Sequence, residues 1–223
     1  MSPLARSRTP YHATPVLVAA LLSLATATSS AAQSPAGTSA PPADQTLTSD
    51  ALLSVYGGPE VRITRLANHT VALVGGRAGM VVNHTLLLGV AGYANANRHV
   101  RTGFALPSGR AAGLDFGYGG VDLGWVGQPS QLVHVSLGAL VGAGAMAYSD
   151  PARHNDEDAD PVGPTDAFFV AEPSAALELN VARNLRVAVG GSYRLVSGAR
   201  LPQVRSADLN GPVGSLTLRF GQF

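Results

Sequence analysis

From Ala51 to Phe223 the sequence alternates with a period of two residues, and no stretch places apolar residues at helical spacing over three turns. A period of two puts successive side chains on opposite faces of an extended chain, so this part of the protein reads as all β. The longest run sets Val133, Val135, Leu137, Ala139, Val141, Ala143, Ala145 and Ala147 against His134, Ser136, Gly138, Gly142 and Gly144. Leu185, Val187, Val189, Gly191, Tyr193 and Leu195 alternate with Arg186, Ser192 and Arg194, and Leu216, Leu218 and Phe220 with Ser215, Thr217 and Arg219. Turn signals divide the domain into eight strands, over 52–65, 70–82, 85–96, 112–126, 131–148, 166–181, 185–198 and 213–221.

The connections carry information of their own. Asn-His-Thr occurs at Asn68-His69-Thr70 and again at Asn83-His84-Thr85. It reads as turn chemistry rather than a glycosylation signal, because Asn tolerates left-handed backbone and Thr suits the start of a strand. After the third strand the connections alternate: long at 97–111, short at Gly127-Gln128-Pro129-Ser130, long at 149–165, short at Ala182-Arg183-Asn184, long at 199–212. Short turns on one side and long loops on the other are the habit of bacterial outer-membrane barrels. With an even strand number, both ends of the domain fall on the short-turn side.

Alternation alone does not say which face meets lipid, since a soluble lipocalin-like barrel alternates too, with its apolar face inward. The polar face decides the matter. Opposite the aliphatic residues the strands carry Glu60, Arg62, Arg77, Asp115, Asp122, Glu172, Glu178, Arg186, Arg194 and Arg219 among Gly and Ser, five acids and five arginines. Balanced opposite charges among small residues suit a narrow closed interior, where a buried charge is costly without a partner. The expected architecture is an eight-stranded, antiparallel, up-and-down transmembrane β-barrel with a plugged polar lumen.

Three features test this scheme. In the fourth strand Leu114, Phe116 and Tyr118 change parity to Val121, Leu123 and Trp125, which a bulge at Gly119-Gly120 would reconcile into one lipid face. Pro59 and Pro173 lie inside strands, where each removes a ladder donor, so bulges or the membrane rim are expected to accommodate them. Trp125, beside a short turn, suits an aromatic belt.

Outside the barrel, Arg6 and Arg8 precede an apolar run from Pro15 to Leu24 and small residues ending at Ser30-Ala31-Ala32. Ten apolar residues are too few for a spanning helix, which needs about 20, so 1–32 reads as a signal peptide. The Ser-, Pro-, Ala- and Thr-rich stretch 33–50 reads as a flexible linker, and 51–223 as the barrel domain. The chain has no cysteine, which excludes disulfides, thiolate metal sites and a lipoprotein anchor. Its 15 basic residues are all arginine, against 14 acids, leaving no basic excess for nucleic acid.

Together, Tyr56-Gly57-Gly58-Pro59, Leu73-Val74-Gly75-Gly76-Arg77, Glu172-Pro173 and Tyr193-Arg194 resemble segments of small bacterial outer-membrane β-barrel proteins, the OmpA/OmpX-like transmembrane domains. The segment Gly214 to Phe223 is similar to the terminal strand signal of such barrels, although Phe223 is out of phase with Leu216, Leu218 and Phe220. The resemblance implies residence in the outer membrane, contact with its lipid and lipopolysaccharide, and insertion by the barrel assembly machinery. It implies no cofactor.

Candidate chemistry is sparse. His134 and Ser136 share the inward face and invite comparison with outer-membrane lipid A deacylases, but His134 follows a short turn and so lies far from the outer leaflet. Asp156, Asp158 and Asp160 have the opening spacing of a calcium loop, yet Pro161 stands where the sharp turn needs glycine and Ala167 where the terminal acid belongs. Asp150 to Asp166 is therefore read as an acidic outer loop rather than a dedicated metal site. The reading is a non-enzymatic barrel with a structural or interaction role through its long loops. A soluble periplasmic ligand-binding barrel is the alternative, and a lipid-modifying enzyme comes third.

Overall fold

The computed structural model describes residues 53–66, 69–96, 101–105, 109, 111–149 and 164–223. The expected signal peptide, the linker, Asn68 and the acidic stretch 150–163 lie outside the described residues. The strands are β1 (Leu53–Leu66), β2 (His69–Val82), β3 (Leu86–Asn95), β4 (Arg101–Ala105), β5 (Ala111–Val126), β6 (Val133–Ser149), β7 (Thr165–Ala182), β8 (Leu185–Ser197), β9 (Arg200–Leu201), β10 (Val204–Arg205) and β11 (Gly211–Gly221), with one helical turn, α1 (Ser206–Leu209), before the last.

Every neighbouring pair is antiparallel and the sheet closes on itself. β1 pairs with both β2 and β11, and β3 pairs with β5, so the ring runs β1, β2, β3, β5, β6, β7, β8, β11 and back to β1. Eight strands close the barrel, as expected. β4 adds no ninth stave. It pairs with β5 on the same edge as β3, through Arg101↔Gly113 and Ala105↔Ala111, and so prolongs the third stave after an interruption. Asn95 spans the join: its Nδ2 donates to Leu114 O at 3.1 Å, and its Oδ1 accepts from Phe116 N at 3.0 Å.

The turn at Asn83-His84 shows why its sequence sits there. Both residues have positive φ, 51° and 58°, as the two-residue hairpin turn that matches strand twist requires, and Thr85 Oγ1 donates to Asn83 O at 2.9 Å. In the β5–β6 turn Gln128 also has positive φ, and Asn180 Nδ2 holds that turn from β7 by donating to Pro129 O at 3.0 Å and Gln131 O at 2.6 Å.

The two strand prolines occupy neither bulges nor the rim. Pro59 falls in a gap of the β1–β11 ladder, between Gly57↔Phe220 and Glu60↔Thr217, and Pro173 in a gap of the β7–β8 ladder, between Ala171↔Leu195 and Ser174↔Ser192. The register is the same on both sides of each gap, so each proline removes its donor without shifting the strands.

The bulge expected at Gly119-Gly120 is absent as well. β5 keeps continuous register with β3 and β6 through both glycines, from Ala94↔Gly117 to Leu86↔Trp125 and from Gly113↔Ser149 to Val126↔Ser136. Leu114, Phe116 and Tyr118 therefore face inward and are buried, while Val121, Leu123 and Trp125 face outward and are exposed. The change of parity marks a change in the interior: it is apolar toward the long-loop end and polar in the middle.

Candidate functional site in the barrel interior

The inward side chains form three tiers. The middle tier is a chain of alternating charges. Arg77 Nη1 lies 3.0 Å from Asp122 Oδ2, Arg77 Nε 2.8 Å from Glu60 Oε2, and Arg62 Nε 2.7 Å from Glu60 Oε1. Arg62 Nη1 then bonds Glu172 Oε1. Hydroxyl groups complete it: Tyr118 donates to Glu172 Oε2 at 2.7 Å and accepts from Arg62 Nη1 at 2.9 Å, while Ser192 Oγ donates to Glu172 Oε1 at 2.7 Å. The Arg62 guanidinium also lies over the Tyr93 ring, 3.4 Å from its centroid. The chain links β5, β2, β1 and β7 across the barrel, and a charge this deeply buried persists only with such partners.

The lower tier, toward the short turns, gathers around Glu178. Arg219 Nη1 approaches Glu178 Oε1 to 2.6 Å, while Arg186 Nη1 and His134 Nε2 stand 3.9 Å and 3.4 Å from Oε2. Below them Tyr56, Val81, Leu87 and Val126 form a small apolar floor against which Phe223 packs. The Phe223 ring lies 4.0 Å from the Arg186 guanidinium. This explains its odd phase: Phe220 faces outward, whereas Phe223 turns under the barrel.

The upper tier is apolar. Leu73, Leu114, Phe116, Met146, Phe168 and Val170 are buried together, Phe116 stacking on Phe168 at 5.2 Å between centroids. The β8–β11 connection folds in over them and contributes Leu201, Val204 and Leu209 to the same cluster. Tyr148 donates to Pro202 O, and Asn210 Oδ1 accepts from Val196 N at 2.6 Å, so the connection is tied to the barrel by hydrogen bonds as well.

Nine of the ten charged residues read from the sequence as inward-facing do face inward: Glu60, Arg62, Arg77, Asp122, Glu172, Glu178, Arg186, Arg194 and Arg219. Asp115 does not. With β5 in one register it shares the parity of Val121, Leu123 and Trp125, so those nine comprise five arginines and four carboxylates rather than an equal number. Arg194, completely buried, makes no ion pair among the described residues. Its Nε donates to Leu209 O at 2.8 Å and its Nη2 to Arg65 O at 3.2 Å and Thr64 Oγ1 at 3.3 Å. Tyr93, Tyr118, Thr64 and Ser192 take part without having been singled out. Inward parity was the signal for Tyr93, Thr64 and Ser192, and for Tyr118 the misplaced bulge concealed it.

His134 and Ser136 face inward near the short turns, with His134 Nδ1 3.2 Å from Gln131 O. Asp166, the last acid of the proposed outer loop, is engaged by backbone: Ala167 N donates to its Oδ1 at 3.0 Å, and Arg200 N donates to its Oδ2.

No protein-family model and no curated protein matches the sequence. Among solved structures the chain is similar to Neisserial surface protein A (TM-score 0.48, 13% identity, 77% of this chain and 97% of that one). It is also similar to the N-terminal β-barrel domain of Pseudomonas aeruginosa OprF (TM-score 0.46, 14% identity, 75% and 96%). A third is Ail, the attachment invasion locus protein of Yersinia pestis, in complex with the heparin analogue sucrose octasulfate (TM-score 0.43, 16% identity, 76% and 95%).

Proposed function

We propose that this protein is a non-enzymatic, non-conducting barrel of the outer membrane, exported by its N-terminal segment, which acts through the long-loop end. The observation that carries this reading is the outer wall. Val55, Ile63, Val90, Val141, Phe169 and Val189 are each more than half exposed, Phe169 at 73%, and apart from Arg65 beyond Ile63 their outward neighbours along the strands are Leu, Val, Ala and Gly. Among the described side chains of the barrel strands, the charged residues of outward parity are Arg65 and Asp115, both toward the long-loop end. Water would penalise so large an apolar wall, and lipid would not.

The dimensions suit a bilayer. From Phe169 to Leu179 the outward face of β7 is free of charge. Ten residues cover about 33 Å along a strand, or roughly 25 Å once the strand tilts by about 40°, which is the height of the apolar band in outer-membrane barrels. Lipid and the acyl chains of lipopolysaccharide would surround this band, and the assembly machinery would read its last strand.

A soluble ligand-binding barrel needs the reverse arrangement, an apolar pocket inside and a polar wall outside. The cavity between the middle and lower tiers measures about 30 Å³, far below the roughly 300 Å³ of a small-ligand site. His134 and Ser136 lie inside the barrel near the short turns, where no outer-leaflet lipid reaches them.

Cell fractionation tests the reading. The mature chain is expected in the outer-membrane pellet, and unheated samples in mild detergent should migrate faster than boiled ones. Recovery in periplasmic extract with unchanged mobility would overturn it.

A further inference from the structure

We propose that the lower interior, beside Arg219 and across the β8–β11 ladder from Arg186, binds a small monovalent anion of about the size of chloride. The two arginines are Cα partners across the β8–β11 ladder, both point inward, and each is 3% exposed. Like charges directly opposite one another destabilise a strand pair, and more so where the effective dielectric constant is low. Glu178 is the one carboxylate within ion-pair distance of either, at 2.6 Å from Arg219 and 3.9 Å from Arg186. His134 beside it supplies no negative charge. Two guanidinium charges thus share one carboxylate, which sits off-centre toward Arg219.

The donors point to the same conclusion. Arg219 Nε and Arg186 Nε and Nη1 are buried without a hydrogen-bond acceptor. A buried donor left without an acceptor is costly, and more so when it is charged. A negatively charged acceptor beside Arg219 satisfies its Nε and offsets the repulsion together, whereas a water does only the first.

The site has room and walls. Arg219, but not Arg186, lines the cavity of about 30 Å³ with Ser136, Ser215 and Thr217, whose hydroxyl groups also donate to anions. That volume accepts a small ion or about two water molecules. Asp122, the carboxylate that lines the cavity, is matched by Arg77 at 3.0 Å. Phe223 against Arg186 closes the floor below.

The experiment uses the full mature chain refolded in detergent. Its thermal unfolding midpoint is measured against sodium bromide and sodium gluconate at matched ionic strength, and crystals grown in bromide are examined by anomalous scattering. The midpoint should rise saturably with bromide but not with gluconate, Arg186→Gln should lose that difference, and an anomalous peak should lie in the cavity beside Arg219. Equal midpoints in the two salts with no peak there would mean that water alone satisfies the donors, and would overturn the proposal. A bromide response that Arg186→Gln retains in full would place the ion elsewhere and overturn it equally.

Discussion

The Nε of Arg194 donates to the carbonyl oxygen of Leu209 at 2.8 Å, so the most deeply buried guanidinium of the barrel holds backbone rather than a carboxylate. Leu209 closes α1, and its side chain is buried in the apolar cluster beneath the β8–β11 connection. Arg194 thus fastens that connection to the rim of β1 through Arg65 O.

Arg194→Ala should release the connection without opening the barrel. Its loss strands carbonyl groups but no carboxylate, so a cost of about 1–3 kcal/mol is expected rather than the 3–5 kcal/mol of a broken buried ion pair. Limited proteolysis should cut 199–210 faster in the variant, while the faster migration of unheated protein persists.

Glu178→Gln should be among the most damaging single changes in the interior. It removes the negative charge facing Arg219, Arg186 and His134 together, leaving two buried arginines face to face. A loss of about 3–5 kcal/mol is expected in urea unfolding of the refolded protein.

Tyr118→Phe should cost less. The hydroxyl donates to Glu172 and accepts from Arg62, and its removal leaves both charged partners in place, in contact with each other. About 1–3 kcal/mol is expected by the same measurement, with Tyr118→Leu costing more because the Phe116 contact at 5.6 Å goes too.

Orientation follows from the loops. A tag inserted at Gln203, in the β9–β10 turn, should be labelled on intact cells, and one at Gln128, in the β5–β6 turn, should not. Labelling at Gln128 alone would invert the topology.

Conductance tests the filled interior. Eight strands leave space that side chains fill, and passage of a solute would require breaking the Asp122–Arg77–Glu60–Arg62–Glu172 chain and displacing the apolar tier above it. Planar-bilayer recordings of refolded protein should show no stable steps of porin size.

Much of this was legible in the residues. Strand limits such as 112–126 and 185–198 differ by a residue from Ala111–Val126 and Leu185–Ser197, because Gly, Pro and Asn at the turns punctuate an otherwise regular alternation. Nine of the ten interior charges followed from parity alone. The tenth, Asp115, was misplaced because the rule applied to β5 was that apolar means lipid-facing. That rule holds for Val121 and Leu123 and fails for Leu114 and Phe116, where the interior is itself apolar.

The alternating pattern with its turn signals determined that the chain forms eight strands, and the charges on the polar face determined which parity faces inward along most of them, since a side-chain period of two is a property of the extended backbone. Only the tertiary structure decided what each inward residue meets. Arg194 holds Leu209 O instead of a carboxylate because the β8–β11 connection folds into the mouth of the barrel, and Phe223 lies on Arg186 because the chain turns under the floor after Gly221. Pairings across a closed ring, such as Arg62 with Glu172 at a separation of 110 residues, depend on the diameter and stagger of the whole barrel, which no local stretch of sequence encodes.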